Sequence, residues 1–135
     1  MKVVLDTNVL LSGLMAPEGA PGRILNAWFD ARFDVVMSVE QLGEIARALG
    51  YPKIHRKLHW DEQRIEEFIR QLYIRAEVIE PRSTMVEVLR DPKDTMILAT
   101  LIISGADVLV TGDRDLLELR GKHPIQTPAE FVRRL

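Results

Sequence analysis

The feature that most constrains this chain is an alternation of two apolar patterns. Five short runs, "KVVL" (2–5), "FDVVM" (33–37), "AEVIE" (76–80), "ADVLVT" (106–111) and "PIQT" (124–127), are too short for helices and mostly β-branched. Between them lie segments with helical spacing. Residues 21–32 carry Ile24, Leu25, Trp28 and Phe29; residues 39–50 carry Leu42, Ile45, Ala46 and Leu49; residues 61–75 carry Ile65, Phe68, Ile69 and Leu72. Residues 93–104 are apolar nearly all round, which predicts a helix buried on both sides, and Pro128 after Thr127 starts a last helix over 128–135. Continuous apolar strands separated by helices pair in parallel, because a parallel connection needs a crossover long enough to hold a helix. The expected fold is α/β: a central parallel sheet between two helical layers, α/β/α, with residues 1–135 as a single domain. The Gly- and Pro-rich "MAPEGAPG" (15–22) marks a loop within the first crossover.

Composition narrows the setting. The chain has 135 residues, 47% apolar and 28% charged, as expected for a globular protein with a proper core. No apolar run is long enough to span a bilayer, and "MKVVLD" is unlike a signal peptide. With no cysteine, disulfides and thiolate zinc sites are excluded, and a cytoplasmic location with no membrane partner is expected. The net charge of −2 means that any nucleic-acid contact must rest on a local basic patch.

Acids fall where such a fold binds ligands, beyond the carboxyl ends of the strands. Asp6 follows "VVL", Asp113 follows "VLVTG", and Asp115 comes two residues later. Glu40 and Glu44 lie on the helix entered after "VVMS", and Asp94 opens the apolar helix at "DPKD". Each has an ordinary alternative. Asp6 and Asp113 are placed to cap the following helices, Glu40 and Glu44 suit a solvated face, and Asp91 with Asp94 reads as a capping box around Pro92. Together they are harder to dismiss, since clustered carboxylates repel and the nearby cations, Lys93 and Arg114, are flanked by acids. A hard divalent cation, Mg²⁺ or Mn²⁺, resolves that repulsion and suits phosphodiester chemistry.

Four segments, "VVLDTNVLLSGL", "SVEQLGEIARAL", "DPKDTMILATLIISGADVLVTGD" and "RDLL", together resemble the PIN domain family, the nuclease fold of VapC-type toxins in toxin–antitoxin systems. The resemblance runs from residue 3 to about residue 131. It implies the strand order 3-2-1-4-5 and an Mg²⁺- or Mn²⁺-dependent endoribonuclease with one or two ions. It places the family's acids on Asp6, Glu44, Asp94 and Asp113. Glu44 is chosen over Glu40 because the family's acid stands just before the "IARAL" stretch; helical spacing alone leaves the two open. Asn8 and Thr111 match polar positions that support the acids, Asp115 is an outer acid, and Asp91 is the helix cap. Asp6 and Asp94 would be the principal ligands, Glu44 a ligand or orienter of water, and Asp113 a ligand to a second or outer ion. The resemblance also implies a homodimer and an inhibitory antitoxin protein as partner.

The basic density lies in "YPKIHRKLH" (51–59), with Arg47, Arg64 and Arg70 nearby. Arg47, Lys53, Arg56 and Lys57 are candidate RNA-backbone contacts, and Tyr51 and Trp60 bracket them as candidate stacking rings. Trp28 and Phe29 read as core, and the three histidines (55, 59 and 123) are scattered. Two other functions remain open: a non-catalytic PIN-like binding module for RNA or protein, and a domain that accepts phosphate on Asp6. The latter is disfavoured by Asn8, where a second aspartate would be needed.

Overall fold

The computed structural model describes residues 1–81 and 88–135. Strands β1 (Lys2–Leu5), β2 (Asp34–Ser38), β3 (Glu77–Ile79), β4 (Val108–Val110) and β5 (Ile125–Gln126) form one sheet in the order β3-β2-β1-β4-β5. Every pairing is parallel. All five expected strands are present, the first with its expected ends and the others displaced by one or two residues.

The first crossover holds two helices: α1 (Thr7–Met15), directly after Asp6, and α2 (Ala20–Phe29), which begins inside the expected 15–22 loop and ends three residues before the expected 32. They are packed so closely at their turn that a Cβ on Gly22 would stand 2.1 Å from the carbonyl oxygen of Pro17. The chain continues through α3 (Val39–Leu49), α4 (Pro52–Leu58) and α5 (Glu62–Arg75), then α6 (Pro92–Ser104), α7 (Arg114–Leu117) and α8 (Pro128–Val132). The last helix begins at a complete capping box between Thr127 and Glu130.

Side-chain alternation along the strands divides the core in two. Val3, Leu5, Val35, Met37, Val108 and Val110 pack on one face, with apolar residues of α1 to α5 and α8. Val4, Val36, Leu109 and Ile125 pack on the other, with Ile97, Leu98 and Leu101 of α6 and Leu116 of α7. The division follows from handedness. Crossovers between parallel strands are right-handed, so connections running β1 to β2 to β3 put helices on one face. The chain then returns past β1 to β4 and β5, and its helices fall on the opposite face.

Two expectations about burial are corrected. The α6 helix is buried from Asp94 to Leu101 apart from half-buried Met96, but Ile102 and Ile103 are 41% and 49% exposed. A helix of 13 residues is about 20 Å long, whereas a four-residue strand is about 13 Å, so the last turn overhangs the sheet. Gly105, at φ +66°, then closes the helix in the left-handed conformation that glycine adopts freely. Trp28 is core, as expected, but Phe29 is 36% exposed at the end of α2.

Candidate metal centre

Strand order reverses between β1 and β4, and the crevice at such a switch point is where open α/β sheets bind ligands. Asp6 leaves the carboxyl end of β1 and Asp113 follows the end of β4. Asp94 comes from the first turn of α6 on one face, and Glu44 from α3 on the other.

Asp6 occupies the N-cap position of α1, yet its side chain makes no capping hydrogen bond. Instead its Oδ2 accepts a 2.6 Å hydrogen bond from the hydroxyl of Thr111, which is fully buried. The same Thr111 oxygen accepts from the Asp113 backbone N–H at 3.0 Å, so one side chain ties the ends of β1 and β4 together. Burial pushes the Asp6 carboxyl above its ordinary range and the charge of Asp113 adds to that. The Thr111 hydroxyl and the backbone amides of Asn8 and Thr7 pull the other way. The Asn8 side chain is exposed, so its influence on Asp6 comes from the backbone. Asp113 does cap α7, but Oδ1 alone accepts both amides, from Asp115 at 2.9 Å and Leu116 at 3.3 Å. Capping and ligation therefore do not compete for the same oxygen.

At "DPKD" the two aspartates separate. Asp91 is exposed and caps α6, its Oδ1 accepting from the Lys93 N–H at 2.9 Å, with Pro92 in the first turn. Asp94 is only 6% exposed. Burial, followed by the charges of Asp113, Asp6, Asp91 and Asp115, pushes its carboxyl up to about 7. One carboxylate oxygen from each of Asp94, Asp113 and Asp115 lies within 4.8 Å of the others. Asp115 thus stands closer to the centre than an outer acid, although its Oδ1 also meets exposed Arg90 at 3.3 Å. Oxygen donors alone, one buried and two half-buried, crowded until a carboxyl is held near neutrality, suit a hard divalent cation.

Glu44 is half-buried and close enough to Asp6 and Asp91 to feel their charges, whereas Glu40 is exposed. Burial raises the Glu44 carboxyl and the Asp6 charge adds to it, while Lys93, with Nζ 3.9 Å away, and the Thr7 hydroxyl lower it. Gln41 was not anticipated. It is 2% exposed, and its Nε2 donates to the Leu5 carbonyl at 2.6 Å and lies 3.4 Å from the Thr7 hydroxyl. It therefore clamps α3, which carries Glu44, to the residues on either side of Asp6. The signal was available: Gln41 falls on the buried stripe of Ile45 and Ala48, where a polar residue needs a partner.

The basic residues flank this centre. Lys53, Arg56 and Lys57 are exposed on α4. Lys53 and Lys57 border a cleft of about 330 Å³ with Ser12 and Met15 of α1 and Ala16 just beyond it. Ser12 is six residues beyond Asp6, which is about 9 Å along a helix. Trp60 is not a free stacking platform, since its ring packs on Phe68 (centroids 5.1 Å) and under Arg64 (4.7 Å). Tyr51 is exposed, Arg70 pairs with Glu67 at 3.2 Å, and Arg47 lies nearer the acids, lining a cleft with Glu44 and Lys93. His55 on α4 and His59, which closes that helix, have ring centroids 6.1 Å apart, closer than their scatter suggested. No carboxylate or third histidine completes a metal-binding group with them among the described residues.

Residues 2–115 match the family described as the PIN domain. The chain is 33% identical over 142 residues to an uncharacterized protein from Methanocaldococcus jannaschii, covering 98% of this chain and 90% of that relative. Its fold is similar to VapBC2 from Rickettsia felis bound to a DNA fragment from their promoter. That likeness has a TM-score of 0.65 and 14% identity, over 94% of this chain and 98% of that one. VapBC-1 from nontypeable Haemophilus influenzae is similar at a TM-score of 0.63 and 18% identity, over 96% and 99% of the two chains. The two structures speak for the fold alone, whereas the family match spans every acid of the centre. This chain belongs to the PIN domain family.

Proposed function

We propose that this protein is a metal-dependent endoribonuclease of the VapC type, acting in the cytoplasm as a single domain and as the toxin of a toxin–antitoxin pair. The observation that carries this reading is the convergence of Asp94, Asp113 and Asp115 within 4.8 Å, with buried Asp6 close enough for its charge to act on both Asp94 and Glu44. Asp6, Glu44, Asp94 and Asp113 would hold one or two ions, with Asp115 as a further acid beside them. When bound, Mg²⁺ or Mn²⁺ supplies Lewis acidity, making water a competent nucleophile at neutral pH and offsetting the charge of the phosphodiester. Thr111 and Gln41 keep the acids in register, and Glu44 would serve as a ligand or orient the attacking water. No serine, cysteine or histidine stands among these side chains as a rival nucleophile. An antitoxin partner is supported by the family resemblance and by a fold shared with proteins solved as VapBC assemblies.

The deciding experiment incubates purified protein with mixed single-stranded RNAs in Mg²⁺ or Mn²⁺, with and without EDTA. Cleavage should need the metal and stop on chelation. Undiminished cleavage in EDTA overturns the mechanism, and metal-dependent binding without cleavage would identify a non-catalytic module.

Lys53, Arg56 and Lys57 form an exposed basic face that we assign to the RNA backbone. Replacing all three with Glu should weaken RNA binding and flatten its salt dependence, with the metal requirement unchanged. Unaltered binding would place the RNA path elsewhere. The chain is also proposed to form a homodimer through the end of α5, where Tyr73 and Ile74 are 64% and 67% exposed. Sedimentation at micromolar concentration should give twice the chain mass, and a monomer would count against it.

A further inference from the structure

One cation is tied directly to the three converging aspartates. Arg90 stands immediately before the cap of α6, and its Nη2 donates to Asp115 Oδ1 at 3.3 Å, 25 residues further along the chain. The backbone on either side of it is fixed. Leu89 packs, partly buried, against the apolar core on that face of the sheet, and its N–H donates to the Thr95 hydroxyl at 2.8 Å. Asp91 follows as the N-cap, with its Oδ1 accepting from the Lys93 N–H. The root of the arginine is therefore set at the first turn of α6, the turn that carries Asp94, whereas its side chain is 86% exposed. Its guanidinium reaches across from α6 to α7 at the edge of the centre. With Val88, Leu89 and Asp115 it lines a cleft of about 230 Å³, and exposed Glu118, three residues beyond Asp115, lines the same cleft.

We propose that Arg90 is a positioning residue of the metal centre: an internal counterion that keeps Asp115 beside Asp94 and Asp113 while no cation is bound, and gives it up when one binds. The proposal rests on the metal centre described above and not on the reaction assigned to it. Three carboxylates within 4.8 Å of one another repel, and a guanidinium on one of them relieves part of that repulsion. The same guanidinium works against a divalent cation, because it occupies a carboxylate and brings a second positive charge close by. Release needs only a change of side-chain rotamer, since the backbone of Arg90 is pinned and its side chain is open to solvent. Glu118 offers the released guanidinium a second carboxylate within the same cleft. The competition has a definite size and sign. An exposed ion pair is weak and screened by salt, so it changes cation affinity by about two- to fivefold. Removing Arg90 should tighten binding, whereas removing any acid of the centre should weaken it.

The test is titration of the purified, metal-free protein with Mn²⁺, in the absence of RNA and at low and high ionic strength. Arg90→Gln should tighten Mn²⁺ by about two- to fivefold at low salt, with the gain shrinking as salt is raised. The same variant should melt about 1–4 °C below the wild type when metal-free, and no lower than the wild type when saturated with Mn²⁺. Arg114→Gln is the control. It removes an exposed cation that stands between Asp113 and Asp115 in the sequence and makes no ion pair among the described residues. It should change Mn²⁺ affinity less than Arg90→Gln does. Unchanged or weakened affinity in Arg90→Gln overturns the proposal, and so does equal tightening by both variants, which would trace the effect to net charge alone. A wild-type protein that binds no Mn²⁺ overturns the metal centre and this proposal with it. The expected pattern of Mn²⁺ binding without any RNA cleavage supports the role of Arg90 and counts against the ribonuclease reading.

Discussion

Asp94→Asn is expected to reduce cleavage by more than about 100-fold, beyond what losing an outer partner of a metal costs, while leaving the metal-free protein at least as stable as the wild type. The reason is the position of its carboxyl. Burial and four neighbouring acids hold it at about 7, against an ordinary value of 3.8. Between those values the folded state binds the proton more tightly than the unfolded chain does. The Asp94 contribution is therefore fully favourable below about pH 4 and declines as pH rises through 7, when folding must accommodate a charge among like charges. Asn removes that charge, so the variant's melting temperature should vary less between pH 4.5 and 8. Mg²⁺ binds the deprotonated cluster, so it should raise the wild-type melting temperature most above pH 7 and the variant's far less. Asp91→Ala should behave differently. It removes a cap worth roughly 0.5–2 kcal/mol and should lower stability at every pH, with activity retained. Melts of both variants at two pH values, with and without Mg²⁺, beside one cleavage assay, separate the roles. An active Asp94→Asn variant would return that residue to the ordinary work of a helix start.

The second large effect belongs to Asp6 and the residue that holds it. Asp6→Asn keeps an oxygen for the Thr111 hydroxyl and should fold, but it removes a buried charge from the centre and should be inactive. Thr111→Val is the subtler change. It preserves shape but leaves Asp6 Oδ2 and the Asp113 N–H each without the partner it now has. It should cost about 1–3 kcal/mol of stability for groups left unsatisfied in a buried setting. It should also weaken metal affinity by about 10–100-fold, read as the Mg²⁺ concentration for half-maximal activity. If the variant loses stability but keeps the wild-type metal requirement, Thr111 is a core hydrogen bond and nothing more.

Much of this architecture could be read along the chain because it rests on local rules. Short continuous apolar runs and period-3.6 apolar patterns marked the strands and most of the helices, and such runs separated by helices required parallel pairing. Caps at Asp91 and Thr127 followed from residue type and the proline behind each. Asp6, Asp94 and Asp113 could be brought to one edge because each stands at the carboxyl end of a strand or opens the helix that returns to it.

Other assignments waited for the tertiary structure. Glu40 and Glu44 are one helical turn apart, so the same face presents both and no spacing separates them. The sheet does, with Glu44 beside Asp6 and Glu40 in solvent. Gln41 drew no attention because its partners, Leu5 and Thr7, lie 36 and 34 residues away. The central place of Asp115, the half-exposure of Phe29 and the overhang of α6 were hidden for the same reason. Periodicity and capping chemistry are properties of neighbours in sequence, and they determine what each segment is. Which carboxylates share a cation and which apolar side chains stay uncovered depend on distances between segments, and those are decided only when strand order and right-handed crossovers bring the segments together.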